Sequence, residues 1–557
     1  METPWWRGGI IYQVYPRSFL DSNGDGIGDL KGVAARLDYL KDLGATAVWL
    51  SPIYPSPMAD FGYDISDHCD IDPVFGTMAD FDDLLGRVHA AGMKLILDFV
   101  PNHTSDRHPW FLESRSSRDN PKRDWYMWHD ARPGGDSSGP PNPPNNWLAQ
   151  FGGSAWEWDE VTGQYYYHAF LREQPDLNWR NPEVRKAMLD TMRFWLDRGV
   201  DGFRVDAMSH MIKDANLRDN PLNPDYHPRQ SDYDRQLPVH SADQPEVHDV
   251  VRMMRKVLDG YPERMMVGEV YLPINRMMVY YGTDEDRGVH LPFNFQLIHL
   301  PWDAGQIAAA VAQYEGALPG HGWPNWVLGN HDQPRVASRV GAEQARVAAM
   351  LLLTLRGTPT LYYGDELGMR DVAIPFGEQR DPQGINMPDR GLSRDPARTP
   401  MPWDSSEKRG FTTGTPWLRL DRYHPEINAG SQRNDDHSLF ALYRRLIELR
   451  GRSAALSRGN YLSMAAPSPL LAYMREAKDE RFLVVLNLSH RPASFPMPDG
   501  LCGKVEVSVL PEREGEEVAG VMDLEGDEGL VIALAPQAPS PNVGETGTLK
   551  TSLAEAS

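Results

Sequence analysis

Acidic residues stand at or near the downstream ends of four apolar runs: Asp98 in KLILDFVPNH, Asp206 in DGFRVDA, Glu269 in MMVGEV and Asp332 in NWVLGNHD. Arg204 lies two residues before Asp206, so on a strand it points the same way; His103 and His331 flank the same ends. One such acid is unremarkable, because Asp also caps helices and ends strands. Four at matching places are harder to explain by capping. A cationic neighbour keeps one carboxylate ionised while a less polar pocket keeps another protonated. Cleavage of a glycosidic bond requires that pair of states. With the carboxyl groups ~5 to 5.5 Å apart, one attacks the anomeric carbon, the other protonates the leaving oxygen, and configuration is retained. A metal-dependent hydrolase is the competing chemistry. It is the weaker reading, since no HxH or HxxxH pair accompanies these acids.

The elements that must position these residues are eight apolar runs: GIIYQVYP (9 to 16), ATAVWLSP (45 to 52), KLILDFVPNH (94 to 103), DGFRVDA (201 to 207), MMVGEV (265 to 270), LPFNFQL (291 to 297), NWVLGNHD (325 to 332) and TPTLYYGDE (358 to 366). Stretches of helical spacing separate them, as in Leu30, Val33, Leu37 and Leu40, and in Phe81, Leu84, Leu85 and Val88. Strands alternating with helices predict an α/β protein built on a (β/α)8 TIM barrel, whose strand ends converge on one mouth. The barrel is expected over 1–103 and 173–461. Residues 104–172, rich in Pro, Gly, Asn and Trp, read as an irregular subdomain inserted after the third strand. The polar, Pro-rich stretch 208 to 245 also follows a strand and is expected to be pocket wall or mobile. After a helical segment at 437 to 451 the pattern turns to short alternating strands, predicting an all-β sandwich over 462–536. The last 21 residues, 537–557, have few large apolar side chains and read as a disordered tail.

The chain has 557 residues, with 56 Lys plus Arg against 78 Asp plus Glu, a net charge of −22. That balance argues against nucleic acid or an anionic membrane as partner. Cys69 and Cys502 stand far apart, so neither a disulfide framework nor a zinc site is indicated. The start, METPWWRGGI, lacks the basic and apolar parts of a signal peptide, and no segment approaches the ~20 apolar residues of a membrane span; a cytoplasmic enzyme is the expectation.

DFVPNH (98 to 103), DGFRVDA (201 to 207), GEV (268 to 270) and LGNHD (328 to 332) together resemble the four ordered signature regions of glycoside hydrolase family 13, the α-amylase family. GIIYQVYP, QPDLN (174 to 178) and GTPTLYYGDELG (357 to 368) fit the same resemblance, which spans roughly residues 4 to 535. It implies Asp206 as nucleophile, Glu269 as acid/base and Asp332 as a third carboxylate that binds sugar hydroxyls. It further implies that Arg204 holds Asp206 ionised, that His103 and His331 touch the bound sugar, and that Asp98 supports them. Tyr63 and Asp64 of DFGYDISD match an aromatic platform and a hydroxyl-binding acid, and Arg398 of RDPARTPM matches a contact at the non-reducing end. Taken alone, Tyr63 reads as core.

QPDLN is the form found in the oligo-1,6-glucosidase and α-glucosidase subgroups, which implies exo-acting release of glucose from maltose, short malto-oligosaccharides or sucrose. Endo-acting relatives carry Lys and His three and four places after the nucleophile; here those places are Ser209 and His210. Ala207 follows the nucleophile where α-1,6-specific relatives have Val, which favours α-1,4 bonds. Transglucosylation is an expected side reaction. An α-1,6-specific glucosidase and a trehalose synthase-like isomerase are the alternatives. A non-catalytic sugar-binding subunit is disfavoured, since such chains lack the acids.

DSNGDGIGD (21 to 29) sets Asp21, Asn23, Asp25 and Asp29 at alternating positions among glycines, an arrangement able to wrap oxygens around a hard cation and equally able to form a plain turn. It is no EF-hand, because the twelfth place is Gly32. The resemblance implies a structural Ca²⁺ held by these four side chains and the Ile27 carbonyl, with Mg²⁺ as the alternative, and no organic cofactor.

Overall fold

A computed structural model describes residues 3–133 and 141–536. Part of the Pro/Gly-rich run at 131–147 and the tail expected at 537–557 lie outside the described residues.

The eight apolar runs form eight parallel strands: β1 (Ile11–Val14), β2 (Ala47–Leu50), β3 (Lys94–Phe99), β4 (Gly202–Val205), β5 (Met265–Gly268), β6 (Leu291–Pro292), β7 (Asn325–Val327) and β8 (Thr358–Tyr362). Their order around the sheet is β7-β8-β1-β2-β3-β4-β5-β6, and a parallel bridge from Asn294 to Trp326 links the two ends, so the barrel is nearly closed. Almost every strand residue is buried because both faces are covered. Alternation decides the destination of each side chain. Tyr12, Val14, Val48, Leu50, Leu95, Leu97, Phe203 and Val205 face the surrounding helices, while Ile11, Ala47, Trp49, Ile96, Met265 and Val267 fill the interior. Gln13, Asp98 and Arg204 share the inward parity, and Asp98 and Arg204 are register partners.

The insertion after β3 is more regular than its composition predicts. It carries a helix, Pro109–Ser116, and a three-stranded antiparallel sheet in which Gln164–Tyr167 lies between Trp128–His129 and Trp156–Asp159. Trp147, Trp156, Tyr165 and Tyr167 make its small core. The expectation of irregular chain weighed Pro and Gly and overlooked the aromatic alternation in WEWD and QYYY.

Helix Leu439–Arg452 leads into the C-terminal unit, whose first strand, Asn460–Met464, begins two residues before the expected boundary. A six-stranded antiparallel sheet faces a two-stranded one, Ala493–Pro496 with Val521–Leu524. Leu483, Val485 and Ile532 of the larger sheet pack on Phe495, Met522 and Leu524 of the smaller, giving the expected all-β sandwich. Among the described residues no helix is long and apolar enough to cross a membrane.

Candidate active site

The inward residues of β3 and β4 converge at the barrel mouth on Arg204. Its Nη1 donates to Asp98 Oδ1 at 2.8 Å and to Asp206 Oδ1 at 2.7 Å, and its Nη2 lies 2.8 Å from Glu269 Oε1. The second oxygen of Glu269 accepts the Ala207 amide at 2.8 Å. Ala207 has φ 45°, left-handed space that β-branched side chains rarely enter, and this turn aims its N–H at Glu269. One guanidinium thus holds three carboxyl groups. Fully ionised, the three carboxyl groups exceed the one guanidinium by two negative charges in a buried site. Burial pushes Asp206 well above the ordinary Asp range, Arg204 opposes this, and Glu269 and Asp98 add to it. Burial likewise raises Asp98 to about 6 against Arg204. The Arg204 contact expected to keep Asp206 ionised is in place and opposes the upward push of burial.

Asp332 behaves oppositely. Burial works against its charge, but the Arg394 and Arg398 guanidiniums beside it overcome this and hold the carboxyl well below the usual range. Arg398 Nη2 donates to Asp332 Oδ1 at 2.9 Å and Arg394 Nη1 to the same oxygen at 3.2 Å. Arg398 is fully buried and also grips the His331 carbonyl at 2.7 Å, so it holds Asp332 in place.

His331 is kept neutral, because burial drives its pKa well below 6.5. With Gln13 Nε2 donating to Nδ1 at 2.8 Å, the ring proton sits on Nε2 and is given to Tyr63 Oη at 2.6 Å; Tyr63 in turn donates to Asp98 Oδ2 at 3.0 Å. His103, lowered by burial to about 4, is neutral too. Its Nε2 reaches the Tyr63 carbonyl at 3.2 Å and its Nδ1 faces Asn102 Nδ2 at 3.1 Å.

Asp64 is placed differently from its expected role. It is fully enclosed, and its oxygens accept from Ser56 Oγ, Ala59 N and Asp60 N, each at 2.9 Å, closing its own loop. The acid of this segment that reaches the mouth is Asp60, bound to Arg394 Nη2 at 2.6 Å and to Gln174 Nε2 at 3.2 Å. Arg394 also binds Asp381 at 2.6 Å, and its guanidinium covers the Phe151 ring at 4.6 Å. Phe151 packs on Phe170, whose ring lies 5.2 Å from His103 and 5.5 Å from His210. Asp60, Arg394, Phe151 and Phe170 therefore form one contiguous cluster beside His103 and Asp332. Sequence reasoning missed all four, and Gln13 as well. Gln13 alone carried a signal, as a polar residue inside an apolar run.

The loop at 21–29 is organised by its own side chains. Asp21 accepts the amides of Asn23, Gly24 and Gly26 at 2.9, 2.6 and 2.8 Å, and also the Thr412 hydroxyl. Asn23 and Asp25 take the amides of Asp25 and Ile27, and Asp29 caps the next helix through Gly32 N. Gly26, at φ 91°, is required, since a Cβ there would sit 1.8 Å from the Thr415 carbonyl. Among the described residues no group of three or more His, Cys, Asp or Glu side chains is arranged to hold a metal ion. The all-oxygen donor set suits a hard cation chemically, but here the side chains engage loop amides.

The family signature described as the catalytic domain of alpha amylase matches residues 13–459, and that of the maltogenic amylase C-terminal domain matches 463–525. An oligo-1,6-glucosidase of Parageobacillus thermoglucosidasius is 39% identical over 561 residues, covering 94% of this chain and 97% of the relative. An alpha-glucosidase of Apis mellifera is 42% identical over 491 residues, covering 86% and 85%. Among solved structures, the alpha-glucosyl transfer enzyme XgtA superposes with a TM-score of 0.90 at 42% identity, over 96% of this chain and 100% of that one. The trehalulose synthase MutB of Pseudomonas mesoacidophila MX-45 does so with 0.87 at 35% identity, over 96% and 100%.

Proposed function

The chain belongs to the α-amylase family and is a glycosidase, and from that premise we propose that it is a retaining, exo-acting α-glucosidase of short α-1,4-linked glucosides such as maltose. The observation that carries this reading is Arg204 bound at once to Asp206 and Glu269. Neighbouring nitrogens of one guanidinium favour the shorter carboxyl spacing of ~5 to 5.5 Å, at which the second acid is a nucleophile, over the ~6.5 to 9.5 Å that makes room for a water.

In this reading Asp206 attacks the anomeric carbon and Glu269 gives its proton to the leaving oxygen, so a glucosyl–Asp206 ester forms as the glycosidic bond breaks. Glu269 then takes a proton from water, which displaces Asp206 with a second inversion. A sugar hydroxyl entering instead of water yields the transfer product, and the likeness to a glucosyl transfer enzyme supports that side reaction. Asp332, held ionised by Arg394 and Arg398, accepts sugar hydroxyls and stabilises positive charge on the ring. In this reading the cluster of Asp60, Arg394, Phe151 and Phe170 closes one end of the site, which supports exo action, because a chain cannot continue past a closed end.

The trehalulose synthase likeness supports a second reading, intramolecular glucosyl transfer on sucrose. Incubation with maltose, isomaltose, sucrose and trehalose, with products followed by chromatography, separates the two. Glucose from maltose, released first as the α-anomer by NMR, is expected. Isomeric disaccharides with little free glucose would overturn hydrolysis. We also propose that the 21–29 loop takes Ca²⁺ in a structural role.

A further inference from the structure

Strands β4 and β8 stand four places apart in the eight-strand order, on opposite sides of the barrel. Each is followed by a long excursion at the mouth, 206–246 and 363–400, and the two meet. Arg390 of the second donates to three groups of the first: Tyr226 Oη at 3.2 Å, the Gln230 carbonyl at 2.6 Å and Asp232 Oδ1 at 2.8 Å. Ser231, buried at the centre of this junction, reaches the Gln150 carbonyl of the insertion at 3.0 Å and Met387 Sδ at 3.6 Å. Arg235 also holds Asp232, at 2.9 Å, but it belongs to the same excursion and cannot replace the link.

The first excursion begins at Asp206 and Ala207, and the Ala207 amide binds Glu269. Its residues 226–232 are tied by Arg390 to the excursion from the opposite side of the barrel, so the two cross the mouth that holds Asp206 and Glu269. We propose that Arg390 is a specificity-determining residue: its clasp on Tyr226, Gln230 and Asp232 holds the two excursions together as a roof over the mouth and limits the length of oligosaccharide accepted. The inference rests on the exo-glucosidase reading. A planar fork with several donors suits the three acceptors, and a lysine would satisfy them only in part.

The test is kcat/KM for maltose through maltopentaose in the wild type, Arg390→Ala, Arg390→Lys and Asp232→Asn. Opening the roof should raise the maltopentaose-to-maltose ratio by about fivefold or more in Arg390→Ala, with a smaller rise in Asp232→Asn and partial return in Arg390→Lys. A merely structural loss would lower all lengths in parallel. Turnover with ratios within twofold of wild type in both Arg390→Ala and Asp232→Asn would overturn this proposal and leave the exo-glucosidase reading standing, whereas no release of glucose from any chain by the wild type would overturn both.

Discussion

Asp206 and Glu269 are bound through adjacent nitrogens of Arg204, at 2.7 and 2.8 Å, so one cation positions both carboxyl groups. In the proposed reaction, positive charge developing on the sugar ring beside Asp206 favours its ionised form.

Asp206→Asn keeps the size of the side chain and one acceptor for Arg204 but cannot form the ester. Hydrolysis of maltose should fall by roughly 1,000-fold or more with an unchanged circular dichroism spectrum. Activity within tenfold of wild type would refute the assignment.

Glu269→Gln should lose most activity on maltose but much less on an aryl glucoside with an acidic phenol, because that leaving group departs without a proton. Equal losses on both substrates would point to damage of binding rather than removal of the acid.

Much of this site is legible in the sequence because a barrel converts linear position into place: an acid at the end of an apolar run is at the mouth wherever the run lies. The eight strands, Asp206, Glu269, Asp332 and Arg204 follow from that rule. Asp60 and Arg394 do not, since their ion pair joins residues 334 positions apart, and nothing local to DFGYD tells Asp60 from Asp64. Only the fold shows that Asp64 turns back into its own loop. The proton balance at Asp206 was equally hidden, because Arg204 alone predicts ionisation and the opposing burial is a property of the assembled pocket.

Asp365 gives a pH test away from the chemistry. Burial raises it to about 7, against the pull of Arg335, from an ordinary value of 3.8. A carboxyl raised on folding stabilises the native state fully below its unfolded pKa, and this is lost as pH rises toward the folded value; each unit between them is worth about 1.4 kcal/mol. Asp365→Asn mimics the protonated form, so its Tm relative to wild type should improve from pH 5 to about pH 7 and level off above that. A constant difference across that range would refute the shift.

Calcium should raise the Tm of the wild-type protein, and chelator should lower it, if the 21–29 loop binds the ion. Bound at 100 times its Kd, an ion adds about 2.7 kcal/mol of stability. Asp21→Ala also removes three amide contacts and so lowers Tm without metal. The readout is therefore the calcium-dependent shift, which the variant should lack while retaining kcat.

Lys213 and Asp176 form a buried ion pair that ties the 206–246 excursion to the QPDLN segment just after the insertion. Both side chains are fully enclosed, Lys213 Nζ donates to Asn102 Oδ1 at 2.9 Å, and Asn102 Nδ2 donates to Asp176 at 2.8 Å. The triad joins the 206–246 excursion, the PNH turn beside His103 and the QPDLN segment, so that signature holds His103 from behind. Removing one charge leaves the other buried without a partner, which costs about 3 to 5 kcal/mol, whereas replacing both by apolar groups of similar shape costs much less. Lys213→Met should lower the denaturant midpoint sharply, and Lys213→Met with Asp176→Leu should recover part of it. Losses that simply add would show that the pair is not coupled, and an unchanged KM in Lys213→Met would show that bracing His103 does not reach the sugar.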